Sequence, residues 1–378
     1  MSFSLSDIDF FRAHAGDFQL ELPNDPLKAA EFLRDRFGDH GRAVAELLKA
    51  RGIGKLPARW LADSDSAQQA TPLPVAAERA RFLSAAGVGL VHDVTCSIGT
   101  EMHTLADAHL TTLGSDLDPV RLVMARHNLG EDAWLLRADA TTVTSRADVV
   151  VADPARRSGG RRITDPSKLL PPLPDLLEAH QGRELAVKCA PGLDFSDWEG
   201  LVTVTSLDGG VKEACLYTPG LGTGRKAVLL RSDGSRDEVT DEETDLPEAG
   251  GIGKYVLDPD GAIVRAGLVR HYAAREGLHQ LDPRIAYLTG DRIPAGTSGF
   301  EFIEAVPVKR LKSALQAAGV GRVEILVRGL NVDPDNLRKK LKLKGSNARA
   351  VILTRIGTKG IALVCHPRVV SSENNYAT

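Results

Sequence analysis

The chain predicts an α/β protein built on a mainly parallel sheet, with a helical region before the sheet and a smaller α/β unit after it. Three observations carry this reading. Between residues 88 and 188, short apolar segments alternate with helical or looped stretches, the pattern of parallel strands joined by right-handed crossovers. Three successive segments end in an acid, Asp116, Asp139 and Asp153, and strand ends are where open sheets meet their ligands. Charge is also uneven. Residues 301–378 carry 14 Lys+Arg against 6 Asp+Glu, whereas residues 1–300 carry 33 against 44. A basic end on an acidic body is the layout of a nucleic-acid-binding appendage or of a solvated surface.

The elements follow in order. Residues 27–34 and 43–50 have apolar positions at helical spacing, and Asp25-Pro26 is a helix start. A polar break at residues 63–69 precedes another helix over 74–86, and no catalytic constellation is read in this N-terminal region. Strands are expected at 90–96, 111–117, 133–138, 148–152 and 184–188. Short gaps between 202–206, 213–217 and 227–230 predict that the sheet finishes with antiparallel strands. Residues 232–253 are acidic and Gly-rich, a long hairpin or linker. Beyond them come a strand at 300–306, a helix at 309–318, a strand at 322–327, a helix opened by Asp333-Pro334, and a closing hairpin at 349–354 and 361–366. The domain boundaries expected are 1–86, 87–250 and 251–378.

Composition excludes several classes. The length of 378 residues, with 43% hydrophobic and 26% charged residues, fits a globular protein of two or three domains. Cys96, Cys189, Cys215 and Cys365 lie far apart without a CxxC pair, which argues against a disulfide framework or a zinc site and fits a reduced cytoplasm. His92, His103, His109 and His127 have no metal-ligand spacing, so no metal is expected. No apolar run approaches the roughly 20 residues of a membrane span. The N-terminus, with Asp7 and Asp9, lacks a secretory pattern, so a cytoplasmic location without a membrane partner is expected.

The chemistry begins where the first strand enters a turn of small residues, Thr95-Cys96-Ser97-Ile98-Gly99, followed by a helix. Such a turn lets backbone N–H groups approach a ligand, but the single Gly99 does not make a dinucleotide GxGxxG loop. Asp116 ends the second strand, where a nucleoside-binding sheet grips a ribose diol, and Asp118 caps the next helix ahead of Pro119. Asp139 ends the third strand, where a carboxylate can accept from an exocyclic amine. Read alone, Asp153-Pro154-Ala155-Arg156-Arg157 is a strand stopped by a proline turn with a solvated arginine pair. Placed fourth in this series, it becomes the acceptor side of a cleft. Arg161 and Arg162 continue its charge through a glycine-containing loop. Lys188 either touches substrate or pairs with Asp153. Cys189 invites a covalent C5-pyrimidine mechanism, against which stands its reading as a small buried hydrophobe.

In this order and spacing, residues 88–232 resemble the class I S-adenosylmethionine-dependent methyltransferases. The resemblance implies a Rossmann-like seven-stranded sheet and S-adenosylmethionine as cofactor. It implies cofactor contacts from Thr95, Cys96, Ser97 and Gly99, from Asp116 and Leu117 at the ribose, from Asp139 and Ala140 at the adenine, and from Asp153. The chain departs from the family at Ser97, where a further glycine is usual. It departs again at Ala155 and Arg156, where amino-methyltransferases of nucleic acids have a second proline and an aromatic. The target atom is therefore open. Asp258-Pro259, residues 263–267, 327–329 and 341–345 add a narrower resemblance to bacterial methyltransferases with a C-terminal THUMP-like domain, which implies an RNA substrate, tRNA or rRNA.

On this reading Asp153, Pro154 and Arg156 carry catalysis. Arg157, Arg161, Arg162 and Lys188 contact substrate in the cleft, and Lys339, Lys340, Lys342 and Lys344 contact an RNA backbone. The rival readings are a methyltransferase of a small molecule or protein and a non-catalytic RNA-binding protein with a degenerate cofactor fold. Oligomeric state is open.

Overall fold

The computed structural model describes residues 3–14, 18, 20–154, 157–158, 161–162 and 168–371, with only the backbone described at 157–158 and 161–162. The chain forms two compact units, Met1–Gly224 with Leu230–Arg236, and Arg225–Leu229 with Asp237–Thr378.

The first unit opens with helices α1 (Leu5–Ala13), α2 (Pro26–Phe37), α3 (Gly41–Gly52), α4 (Ser64–Gln69) and α5 (Leu73–Ala85). Their starts are locally encoded. Ser4 and Asp7 form a reciprocal capping box on α1, Asp25 caps α2 ahead of Pro26, and Asp63 with Ser66 boxes α4. The apolar faces of α1 to α3 bury Ile8, Phe11, Leu33, Val44 and Leu47 around Trp60. This core continues into Ile98 and Met124 of the sheet region.

The sheet contains β1 (Leu90–Asp93), β2 (Thr111–Asp116), β3 (Trp134–Arg137) and β4 (Val149–Ala152), with α6 (Thr100–Asp107) and α7 (Pro119–Leu129) as crossovers. A two-residue pair, β5 (Arg157–Ser158) and β6 (Arg161–Arg162), precedes α8 (Leu173–Ala179). Next come β7 (Glu184–Cys189), β8 (Leu201–Leu207) and β9 (Gly210–Tyr217). Among these strands the order is β8-β9-β7-β4-β1-β2-β3, part of a sheet of nine described strands. Strands β7, β4, β1, β2 and β3 are parallel, whereas β9 runs antiparallel to both β7 and β8. All four residues of β4 are buried, as expected of an apolar central strand covered on both faces. Strand order reverses at β1, which pairs with β2 on one side and β4 on the other. A ligand crevice is expected outside the carboxyl ends of those two strands.

Gly224–Leu230 (β10) and Arg236–Thr240 (β11) carry the chain between the units. The acidic stretch after residue 232, read as a hairpin or linker, thus contributes a strand.

The second unit contains β12 (Tyr255–Leu257), α9 (Gly261–Arg265), α10 (Val269–Glu276), β13 (His279–Asp282) and β14 (Ile285–Gly290). It continues with β15 (Ser298–Pro307), α11 (Leu311–Ala317), β16 (Val320–Val327), α12 (Pro334–Leu341), β17 (Asn347–Ile356), β18 (Lys359–Cys365) and β19 (Val369–Val370). The sheet order is β13-β14-β12-β15-β18-β17-β16, with β19 on β15. The strands and helices expected from residue 300 onward are present. The five elements over 255–290 were not read from the sequence because each is short, and turns interrupt the apolar periodicity. Helices α11 and α12 place Leu311, Leu315 and Leu341 in one core with Val351, Leu353 and Val364.

Candidate active site

The turn after β1 is held from several directions. Cys96 N–H donates to the Ser115 carbonyl (2.9 Å), and Gly99 N–H donates back to the Cys96 carbonyl (2.8 Å). Gly99 caps α6 in the left-handed region at φ +92, and a Cβ there would lie 2.8 Å from Leu129 Cδ1. Only glycine meets both demands. Ser97 is also left-handed, at φ +49, a conformation disfavoured for a residue with a Cβ. Two bonds retain it: its N–H donates to Asp116 Oδ2 (3.0 Å), and Arg121 Nη1 donates to its Oγ (2.7 Å). The serine in place of the usual glycine therefore keeps the backbone conformation that a glycine would adopt. Asn128 ties the same turn to the N-terminal region by donating from Nδ2 to the Ile98 and Leu61 carbonyls, both at 3.0 Å.

Asp116 Oδ1 also accepts from Asp118 N–H (2.9 Å), so its carboxylate links the end of β2 to the turn. Ala138 N–H donates to the Asp116 carbonyl (3.3 Å), which sets Asp139 beside it on the neighbouring strand. Asp139 accepts from the Thr141 hydroxyl (2.6 Å) and N–H (2.8 Å), and these bonds hold its carboxyl below the usual range. The Ala140 carbonyl accepts from the buried His180 Nε2 (2.7 Å). Leu117 exposes 58% of its surface, an apolar face next to Asp116.

Between the ends of β1 and β4 lies a cavity of about 850 Å³. Thr95 joins the two strands: its hydroxyl accepts from Asp153 N–H (2.7 Å), and its N–H donates to Asp93 Oδ1 (3.1 Å). Asp153 Oδ2 meets Lys188 Nζ at 2.7 Å. Lys188 is 4% exposed, so this pairing reading describes its position, and the same side chain forms part of the cavity wall. Its ammonium also donates to Thr71 Oγ1 (2.5 Å) and lies 3.6 Å from Glu101 Oε2. Arg79, from α5, donates to Glu101 through Nε (2.6 Å) and Nη2 (3.2 Å) and to Glu213 through Nη1 (2.5 Å).

Charge in this cluster is set by burial and neighbours. Burial disfavours the charged Lys188, but the carboxylates of Asp153, Glu101 and Glu213 outweigh it and push the ammonium up to about 12. Burial would raise Glu101, yet the Arg79 and Lys188 cations hold it below the usual range. For Asp93 the Lys188 charge and the Thr95 N–H bond are too weak to offset burial. Burial, reinforced by the Glu101 charge, raises it to about 7.

The cavity gathers Thr95, Cys96, Ser97, Asp153, Pro154 and Lys188. Gly99 and Asp116 adjoin it through the turn, whereas Leu117, Asp139 and Ala140 lie on the flanking strand ends, outside its wall. Arg156 lies outside the described residues. Arg157 pairs with Arg162 and Ser158 with Arg161 in the β5–β6 backbone, and their side chains lie outside the described residues. Lys339, Lys340, Lys342 and Lys344 are exposed around the carboxyl end of α12 in the second unit. Cys189 is buried in β7 and is not part of the cavity wall. Among the described residues no cluster of three His, Cys, Asp or Glu could hold a metal ion.

Sequence reasoning missed Thr71, Arg79, Asp93, Glu101, Glu213 and the α4 segment that lines the cavity from Asp65 onward. The N-terminal region, read as free of catalytic residues, supplies one wall. A signal was present in α5, where Arg79 occupies the buried stripe otherwise made of Val75, Ala76, Ala80 and Leu83. A charge inside an apolar stripe implies a buried partner.

Comparison with known proteins accords with this geometry. Residues 297–367 match the THUMP domain-like family. The chain is 47% identical, over 89% of its length and 99% of theirs, to uncharacterized S-adenosylmethionine-dependent methyltransferases of Mycobacterium tuberculosis strains CDC 1551 and H37Rv. A crystal structure described as a methyltransferase from Porphyromonas gingivalis W83 shares the fold, with a TM-score of 0.71 at 20% identity over 97% of this chain and 99% of that one. The residues fit the cofactor of this family. The cavity has the size of a small-ligand site, Thr95, Cys96 and Ser97 of the turn line it, and the Asp116 carboxylate at the end of β2 is bonded to that turn. Even with Asp93 protonated, the carboxylates of Glu101, Asp153 and Glu213 outnumber the cations Arg79 and Lys188, a balance suited to a positively charged ligand. This chain therefore belongs to the S-adenosylmethionine-dependent methyltransferases, and it carries a THUMP-like domain at its carboxyl end.

Proposed function

We propose that the chain methylates a nucleobase nitrogen in RNA, with tRNA and rRNA as the substrate class. The observation that carries this reading is the placement of Asp153 and Pro154 on the cavity wall at the end of β4, with the Asp153 side chain 28% exposed and anchored by Lys188. When bound, the cofactor supplies a methyl group activated on a sulfonium. The Asp153 carboxylate and the Pro154 carbonyl accept N–H bonds from the acceptor amine and orient its lone pair toward that methyl group. Thr95, Cys96, Ser97, Gly99, Asp116 and Leu117 hold the cofactor on one side, and Asp139 and Ala140 border its adenine. Arg156, Arg157, Arg161 and Arg162 hold the substrate phosphate or base edge. A base paired in a duplex reaches the cavity only after it is flipped out.

The RNA part of the reading is supported by the THUMP-like match and by the exposed Lys339, Lys340, Lys342 and Lys344 within it. A basic surface of this kind suits phosphate backbones. We assign the activity to the cytoplasm with the proposed RNA substrate; no described helix is long and apolar enough to cross a membrane. One observation favours a second reading, an amine-bearing small molecule or protein as acceptor: the carboxylate surplus around the cavity attracts an amine and repels phosphate. Transfer of labelled methyl groups to RNA, protein and metabolite fractions from a deletion strain tests the two. Nuclease-sensitive label is expected, and label confined to the other fractions would refute the RNA reading.

A further inference from the structure

The N-terminal region reaches the cavity through a residue that no part of the methyl-transfer reading uses. Thr71 lies between α4 and α5 and is 5% exposed. Both polar functions of its hydroxyl are engaged: it accepts from Lys188 Nζ at 2.5 Å and donates to Glu213 Oε2 at 3.5 Å. Lys188 in turn meets Asp153 Oδ2 at 2.7 Å, while its second carboxylate neighbour, Glu101, stands farther off at 3.6 Å. An ammonium has three donors. With two carboxylates competing for it, Thr71 is the neutral acceptor that fixes its position without drawing its charge away from Asp153. The β-branched side chain is stiff at χ1, and the loop that bears it runs directly into the proline-containing start of α5.

We propose that Thr71 is a positioning residue, which holds Lys188 so that Lys188 holds Asp153 in the orientation that accepts the substrate amine. The N-terminal region is then part of the catalytic apparatus and not only a support for the sheet. This inference rests on the acceptor role given to Asp153 above.

Thr71→Val keeps the shape and removes the hydroxyl, and Thr71→Ser keeps the hydroxyl. In the full chain, Thr71→Val is expected to lower turnover on RNA from a deletion strain by about 100-fold, the scale of a roughly 1 Å misplacement of a reacting group. Cofactor affinity measured by calorimetry and the KM for RNA are expected to stay within about threefold, and Thr71→Ser is expected to restore turnover. A second readout needs no acceptor. The Nζ resonance of Lys188 in ¹⁵N-lysine-labelled protein, assigned by its absence in Lys188→Arg, should show a nuclear Overhauser contact to the Thr71 methyl in the wild type and broaden in Thr71→Val. Absence of that contact, an unchanged resonance in Thr71→Val, or equal impairment of Thr71→Val and Thr71→Ser would overturn the inference. A broadened resonance with undiminished transfer would overturn it too, whereas failure of the acceptor role of Asp153 shows separately, as undiminished transfer by Asp153→Asn.

Discussion

Replacing Arg79 with methionine removes the central cation of the buried network while keeping a long apolar stem. The Arg79 side chain is 2% exposed and makes three hydrogen bonds to Glu101 and Glu213, whose side chains are 6% and 4% exposed. Both carboxylates would be left in the interior, with Lys188 as the remaining cation and Asp153 competing for it. Breaking a buried pair by removing one partner costs about 3–5 kcal/mol. For a unit of this size that corresponds to a fall in Tm of about 6–20 °C. The loss depends on pH. Glu101 is held below its usual range in the folded protein, so its contribution is present above the unfolded carboxyl range of about 4.3 and is lost as pH falls through its folded value. Without Arg79, burial is no longer offset and the carboxyl prefers its proton. The deficit is therefore largest near neutral pH and shrinks as the medium becomes acid. Trp60, Trp134 and Trp198 are the three tryptophans of the chain, and all lie in the first unit. Urea unfolding followed by tryptophan fluorescence reports on that unit alone. A deficit below about 1 kcal/mol, or one independent of pH, would show that the network is solvated and refute the reasoning.

Three other outcomes follow from the same geometry. Asp116→Ala should weaken cofactor binding at least about 10-fold by calorimetry, because its carboxylate fixes the turn and is the proposed ribose acceptor, whereas Asp153→Ala should bind normally and lose transfer; equal losses of affinity would contradict the assigned roles. Asp93→Asn should gain stability relative to the wild type as pH rises from about 4 to about 7 and no further, since the folded carboxyl keeps its proton up to about 7 while the unfolded one releases it near 3.8; a Tm difference that does not vary with pH would exclude this protonation. Replacing Lys339, Lys340, Lys342 and Lys344 together with glutamine should weaken RNA binding across sequences and flatten its salt dependence by about three in log–log slope, while an unchanged slope would remove these residues from the interface.

The parts legible in the sequence were those encoded locally. Apolar periodicity and acid-terminated strands located β1 to β4 and β7, because each element carries its own pattern. Asp25, Asp118 and Asp333 announced helix starts because a cap acts within three residues of itself. The turn residues, Asp116 and Asp153 could be placed at strand ends for the same reason: a strand end marks its own position. The ion network left no such trace. Arg79 meets Glu101 across 22 residues and Glu213 across 134, and Lys188 meets Thr71 across 117. Nothing local to any of these positions says which carboxylate it will find. Short elements between residues 255 and 290 escaped for a different reason, since strands of three or four residues show too few alternations to be distinguished from turns.

The placement of the locally unfavourable features is itself an argument for the site. Replacing a buried ion network by apolar residues of similar volume is often neutral or stabilising, so stability alone gives no reason to keep the carboxylates of Glu101, Asp153 and Glu213 with two cations beneath one sheet end. Ser97 in a left-handed conformation and Asp93 pushed up to about 7 are further departures from what folding favours. All of them surround the turn that Thr95 ties to Asp153, at the reversal in strand order where an open sheet binds its ligand. Elsewhere in the first unit the caps, apolar stripes and strand burial agree with one another. His109 and Asp208 are left-handed elsewhere in the first unit, but the buried ion network is concentrated at this cleft, as a binding and catalytic role produces. With Asp93 protonated, the carboxylates of Glu101, Asp153 and Glu213 still outnumber Arg79 and Lys188, and this surplus suits a cation such as the family's sulfonium cofactor.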